Sequence, residues 1–260
     1  MEKGIVYQGY VPVRREPSET SEMVSQVLFG EEFRILNSNG KWLQISLYFD
    51  GIEGWVTKDG VDTIEPENMP ENESDRGYRM VSHPCIIVQD LKLDRQLILP
   101  AGSIWPKTGG NALTLGRHEF GLLSEEGLIT PGPHMDPEEI GKGLISLPHL
   151  WGGRSGFGFD GPGLVQMLCR MMGLQLPRQC NQQAGLGTTV NFMHEIRKGD
   201  LAYFDNEEAE LVHAGMVLDG GRVLHCSTNV RIDRLDHHGI YSIEKEAYTY
   251  KLRVIKRLER

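Results

Sequence analysis

Between Trp151 and Met172 the chain passes abruptly from a glycine-rich loop to a helical pattern, and few folds accommodate that transition. Glycines occupy positions 152, 153, 156, 158, 161 and 163. Leu164, Val165, Leu168, Met171 and Met172 then recur at helical spacing, which predicts a helix over roughly 161–173. Asp160 stands where an N-cap belongs, its carboxylate able to accept from the unpaired amides of the first turn. Those amides and the helix dipole make such a helix start a place where negative charge is stabilised.

The order of residues around this transition is specific. Trp151-Gly152-Gly153 leads through a loop to Asp160-Gly161-Pro162-Gly163-Leu164-Val165, and Gly173-Leu174-Gln175-Leu176-Pro177-Arg178 follows the helix. Asn181-Gln182-Gln183 comes next. Further on come Lys198-Gly199-Asp200-Leu201-Ala202-Tyr203-Phe204-Asp205, Val212-His213-Ala214-Gly215-Met216-Val217-Leu218 and Arg222-Val223-Leu224-His225-Cys226-Ser227. Taken together, these segments resemble the NlpC family of papain-like cell-wall cysteine peptidases over roughly the last 115 residues, in that family's order. There the pattern is Tyr-x-Trp-Gly-Gly followed by Asp-Cys-Ser-Gly, with the cysteine as nucleophile. In this sequence Gly161 stands at the nucleophile position, and glycine has no side chain with which to attack.

The resemblance implies a site whose other parts are present. His213 takes the place of the catalytic histidine, and His225 that of the polar residue orienting it. Asp160 falls where family members of this architecture hold a substrate amine, and Trp151 at a substrate-binding wall. Two further departures surround Gly161: Pro162 replaces a serine, removing a hydroxyl and a backbone N–H, and His149 replaces a tyrosine that donates to the developing oxyanion. Ile52 stands where related SH3-like domains carry a tyrosine. The histidine pair is also constrained by register. If Asp219-Gly220-Gly221 forms a three-residue hairpin loop, His225 opposes Gly215 and the two histidines share a face as diagonal neighbours. A two-residue loop would place them on opposite faces.

No remaining thiol is expected to substitute. Cys169 lies about 12 Å of helix rise beyond Gly161, Cys180 falls in the loop after the helix, and Cys226 adjoins His225 and points to the other face. Without a CxxC pair among Cys85, Cys169, Cys180 and Cys226, the sequence suggests neither a zinc motif nor a disulfide framework.

The expected class is α+β. A papain-like NlpC domain, with a helix packed on an antiparallel sheet, would be preceded by two all-β SH3-like barrels. Residues 1–64 alternate apolar and polar residues at Val11, Val13, Val27, Phe33, Ile35, Leu43, Ile45 and Leu47, as strands with one buried face do. Turn signals fall at Glu16-Pro17-Ser18, Asn37–Gly40 and Asp50-Gly51, and the segment resembles a bacterial SH3-like domain. Residues 65–77, acidic and holding two prolines, read as a linker. A second, more divergent SH3-like domain is expected over 78–135, with strands at Cys85–Val88 and Gln96–Leu99 and turns at Ala101-Gly102 and Thr108–Asn111. The NlpC-type domain would occupy 136–260, opening on a helix capped by Asp136 with Pro137 at its first position.

A net charge of −9 argues against nucleic acid as a partner. No apolar run reaches the ~18 residues of a membrane helix, so no membrane insertion is expected. The first residues lack the apolar core of a signal peptide. As the sequence stands, this points to the cytoplasm, or to the periplasm or cell envelope if an export signal has been removed. No cofactor is expected. The sequence leaves three functions open. The first is a pseudoenzyme binding peptidoglycan-derived stem peptides with a free N-terminal L-alanine. The second is an active γ-D-glutamyl-L-diamino acid endopeptidase, with a rescued nucleophile or one altered in this sequence. The third is a zinc site built from His149, His213 and His225.

Overall fold

The computed structural model describes residues 2–64, 77–107 and 110–259. The chain is mostly strand with few helices, and it forms two compact units. One comprises residues 1–131 and 151–157, the other residues 132–150 and 158–260.

In the first unit, the alternation read from residues 4–64 folds into a seven-stranded antiparallel sheet. The inward-facing residues Val11, Val13, Val27, Phe33, Leu43, Ile45, Leu47 and Val56 form its core, and Ile52 packs against it. The expected turn at Asn37–Gly40 is displaced. A bulge between Ile35 and Asn37 lets the strand keep pairing to Asn39, so the reversal falls at Gly40 and Lys41. Cys85–Asp90 and Arg95–Pro100 pair in antiparallel register, as Cys85–Val88 and Gln96–Leu99 suggested. Ile5 and Phe29 join Val81, Val88, Leu99, Trp105 and Phe120 in a second core cluster. The linker residues 65–76 and positions 108–109 of the Thr108–Asn111 turn lie outside the described residues.

Residues 151–157 complete this unit. Arg154 is buried in an ion pair with Glu31, and its Nε donates to the Gln26 carbonyl at 2.7 Å. Gly156 packs against the Pro84 carbonyl so closely that any side chain would collide with that backbone. At Trp151 the indole N–H donates to Glu22 at 2.8 Å, and the ring remains 64% exposed.

The second unit is built on a seven-stranded antiparallel sheet. Pro137–Leu144 forms a helix whose first turn is capped by Asp136, with Glu138 N–H donating to its carboxylate at 2.8 Å. A longer helix, Gly161–Met171, packs against strands Leu211–Leu218 and Arg222–Cys226, and the chain leaves it at Gly173, where φ is +79°. Every residue of this helix except Pro162 is buried, which is why its composition is apolar nearly all round. No helix among the described residues is long and apolar enough to cross a membrane.

Candidate active site

The site is assembled where the start of the Gly161 helix meets the hairpin formed by Leu211–Leu218 and Arg222–Cys226. Residues 219–221 separate the two strands, and Gly215 opposes His225. That register makes the histidines diagonal neighbours on one face, which resolves the choice of loop length left open by the sequence. His213 Nε2 lies 3.0 Å from His225 Nδ1. The far nitrogen of His225 lies 3.1 Å from Asp233 Oδ2. Tyr250 stacks flat on the His213 ring, with centroids 3.9 Å apart and planes 11° from parallel.

Charge states follow from the surroundings. Burial pushes the Asp233 carboxyl up, but hydrogen bonds from His225 and Arg231 outweigh it and hold the group below its usual 3.8. Burial lowers His225, the nearby Asp233 partly offsetting it, and burial with the charges of His225 and His149 drives His213 well below 6.5. A carboxylate can only accept, so His225 carries its proton on Nε2 and accepts at Nδ1. His213 therefore donates from Nε2, which leaves the lone pair on Nδ1. That lone pair faces Gly161, so the chain of bonds ends in a base aimed at a residue without a side chain.

A side chain at Gly161 would be crowded. A Cβ added there would lie 2.7 Å from His213 Nδ1 and 3.0 Å from both the amide nitrogen and the carbonyl oxygen of Ala214. The ring stands in the volume a side chain would need, and Tyr250 is stacked against it. Asp160 caps the helix: its Oδ1 accepts from Gly163 N–H at 2.7 Å, and its Oδ2 accepts from the buried Arg178 guanidinium at 2.6 Å. Gln183, fully buried, donates to the carbonyls of Pro162 and Pro177 and braces the same turn.

The NlpC/P60 family profile matches residues 146–251, and the bacterial dipeptidyl-peptidase SH3 domain profile matches residues 13–61. The chain carries an NlpC/P60 domain. It is 27% identical over 217 residues to a gamma-D-glutamyl-L-lysine dipeptidyl-peptidase of Bacillus subtilis (strain 168), covering 77% of this chain and 71% of that protein. A protein with the same description from Bacillus cereus (strain ATCC 10987 / NRS 248) is 23% identical over 232 residues, covering 80% of this chain and 68% of that one. An NlpC/P60 family protein of Bacillus cereus ATCC 10987 has the same fold. Its crystal structure superposes with a TM-score of 0.78 at 17% identity, over 98% of this chain and 99% of that one.

Within the NlpC/P60 domain, the structure brings Gly161, Asp160, His213 and His225 together. His149 is exposed, its backbone N–H donating to the Thr228 carbonyl at 3.0 Å. The three histidines do not form a metal cluster: His213 Nε2 and His225 Nδ1 are turned toward each other, and no group of three or more metal-ligating side chains occurs among the described residues. Cys180 differs from the expected loop position. It opens a five-residue helix, Cys180–Ala184, yet its thiol donates to the His213 carbonyl at 3.4 Å, and burial, with Asp160 nearby, pushes it up to about 12. Burial likewise pushes Cys169 and Cys226 up to about 12, so none of the three is a ready thiolate.

Sequence reading missed two residues of this site. Asp233 could have been found from the next hairpin: His225 opposes Arg231, so Asp233 is its diagonal neighbour on the same face. Arg178 was read only as part of a matching segment, and no local pattern links it to Asp160.

Proposed function

We propose that this chain is a non-hydrolysing member of the cell-wall peptidase family that binds peptidoglycan stem peptides carrying a free N-terminal L-alanine. The observation that carries the loss of hydrolysis is the crowding at Gly161, where an added Cβ would lie 2.7 Å from His213 Nδ1. A papain-like arrangement needs a thiolate at the helix N-terminus with a histidine to take its proton. Here the histidine relay is complete, but its terminal lone pair meets the glycine, and three other thiols are buried and protonated. The substrates named for the Bacillus relatives suggest the ligand class, a γ-D-glutamyl peptide.

Asp160 supports an amine contact and also limits it. The helix cap and Arg178 already use its two oxygens, so an incoming ammonium would share the carboxylate with a guanidinium. Sharing keeps the expected affinity weak, about millimolar, corresponding to roughly −4 kcal/mol. Calorimetry with L-Ala-γ-D-Glu-L-Lys tests the reading. Heat that disappears when the peptide's N-terminus is acetylated supports it, and no binding at millimolar peptide would overturn it.

The relay His213–His225–Asp233 favours a second reading, an endopeptidase whose nucleophile is altered in this sequence. Dipeptide release from the same tripeptide by the Gly161→Cys variant, at the rate of an active relative, would establish it.

A further inference from the structure

An antiparallel sheet with one face in water normally points apolar residues inward and polar ones outward. Strand Trp42–Leu47 of the first unit does so: buried Leu43, Ile45 and Leu47 alternate with Gln44 and Ser46. A four-stranded sheet of the same unit does not. Its order is Arg95–Pro100, Cys85–Asp90, His118–Leu122, Ala112–Leu115. The inner face supplies Val88, Leu99, Leu113 and Phe120 to the core, yet the outer face is apolar as well. Ile87 and Ile98 oppose each other in register and are 44% and 48% exposed. Leu123 directly follows the pair Leu122–Val88, which sets it beside Ile87, and it is 57% exposed. We propose that this face is the contact surface of a two-fold dimer, with a second copy of this chain as its occupant.

The patch continues past the sheet at both ends. Leu91 lies over Gly121, where an added Cβ would come within 3.3 Å of its side chain, and Leu93 follows in the same turn. At the other end the Gly9 backbone packs on the Ile98 carbonyl with Phe157 beside it, and Phe157 meets Tyr10 with ring centroids 5.6 Å apart. All four of these flanking side chains are exposed. Four strands 4.8 Å apart and five residues long present about 300 Å² of sheet. The flanking side chains double that, to about 600 Å², which is what each partner contributes to a small specific interface. Contiguous apolar patches of this extent are uncommon on monomers. Because Gly9 covers the edge strand at Ile98, a second copy meets the face of the sheet and does not add to its edge.

Charge selects the occupant. The chain carries a net charge of −9, so two copies repel wherever their charged surfaces meet, and a two-fold contact sets one patch against itself. A face without net charge is what such a contact requires. The outward positions Gln89, Gln96, Ala112, Thr114 and Gly121 are uncharged. Glu119 is the charged residue on this face among the described residues, and Lys92 neutralises it at 3.0 Å. A strongly basic or acidic partner finds no field here to draw it in.

The inference concerns the first unit and is independent of the Gly161 site. An interface of this size corresponds to a dissociation constant on the order of 10 µM. Sedimentation equilibrium of the full chain should therefore show the weight-average mass rising from monomer toward dimer between about 1 and 500 µM. Ile87→Lys sets like charges against each other and should weaken association at least tenfold, with circular dichroism showing an unchanged fold. Should that variant fail to fold, Leu123→Glu, just beyond the strand, is expected to do the same. A monomer at every concentration, or a loss under tenfold in both variants, would overturn the proposal. Co-sedimentation of the monomer with phosphatidylcholine vesicles, abolished by Ile87→Lys, would give the face to a lipid surface and overturn it too.

Discussion

The two sides of the candidate site have met different fates. On the hairpin side, His213, His225 and Asp233 are linked end to end, and Arg231 closes the far end on Asp233 at 2.7 Å. On the helix side, Gly161, Pro162 and His149 lack the thiol, hydroxyl and phenol that the resemblance leads one to expect. Folding demands differ between the two. The relay residues are 4%, 1% and 5% exposed, and a buried polar group that loses its partner is costly to the fold whether or not any chemistry occurs. A nucleophile at a helix start has no comparable structural hold, because glycine serves the turn equally well. An intact histidine relay is therefore evidence about folding first, and about turnover only in the company of a nucleophile.

The largest expected effect lies on the helix side. The chain should hydrolyse γ-D-glutamyl peptides slower than an active relative by a factor on the order of 10⁶, the scale for losing a covalent nucleophile. Gly161→Cys alone should not recover this, because its Cβ meets His213 and the Ala214 backbone, and overpacking there costs about 1–3 kcal/mol. Adding Pro162→Ser and His149→Tyr should raise the rate above the single variant. Dipeptide release measured by chromatography decides the point, and full activity in the single variant would break the comparison.

Next in size is the hairpin side. Asp233→Ala leaves His225 and Arg231 without their shared carboxylate and should cost about 3–5 kcal/mol, read from urea unfolding. A loss below about 1 kcal/mol would mean that the fold does not need the relay.

The histidines also set a pH dependence. Both have folded values below 6.5, so the unfolded chain binds protons more readily as pH falls through 6.5. Stability is then fully present above 6.5 and is lost below it, by up to about 2 kcal/mol for the pair between pH 6.5 and 5.5. Urea midpoints at those two values measure it; a flat profile would show that the pair is not held neutral. The smallest effect belongs to the rim. Glu244 is 73% exposed where it meets Arg231, so Glu244→Ala should change stability by less than about 0.5 kcal/mol, and a larger loss would extend the saturated side out to the surface.

Much of this was legible because it is periodic or local. The helical spacing of Leu164, Val165 and Leu168 gave the helix, Asp160 and Asp136 gave its cap and that of its neighbour, and the strand alternation gave the core of residues 4–64. The histidine pair was legible only up to one ambiguity, since a hairpin loop of two or three residues reverses the face. The rest depended on distance in the chain. Arg178 reaches Asp160 across 18 positions; Asp233 needed the register of a second hairpin; and Cys180 entered a short helix that no apolar period announces. The crowding at Gly161 was invisible for a different reason: a sequence shows that a side chain is missing but not that a neighbour has filled its place.

Residues 151–157 have a practical consequence for anyone dividing this protein. They count with the first unit although the chain on both sides of them counts with the second, so the polypeptide crosses between units three times. A single cut at residue 131 would not yield two self-sufficient pieces. The C-terminal fragment would carry away Arg154, and Glu31 would be left behind in an emptied slot. Grafting either unit into another protein therefore calls for circular permutation or for co-expression of both halves.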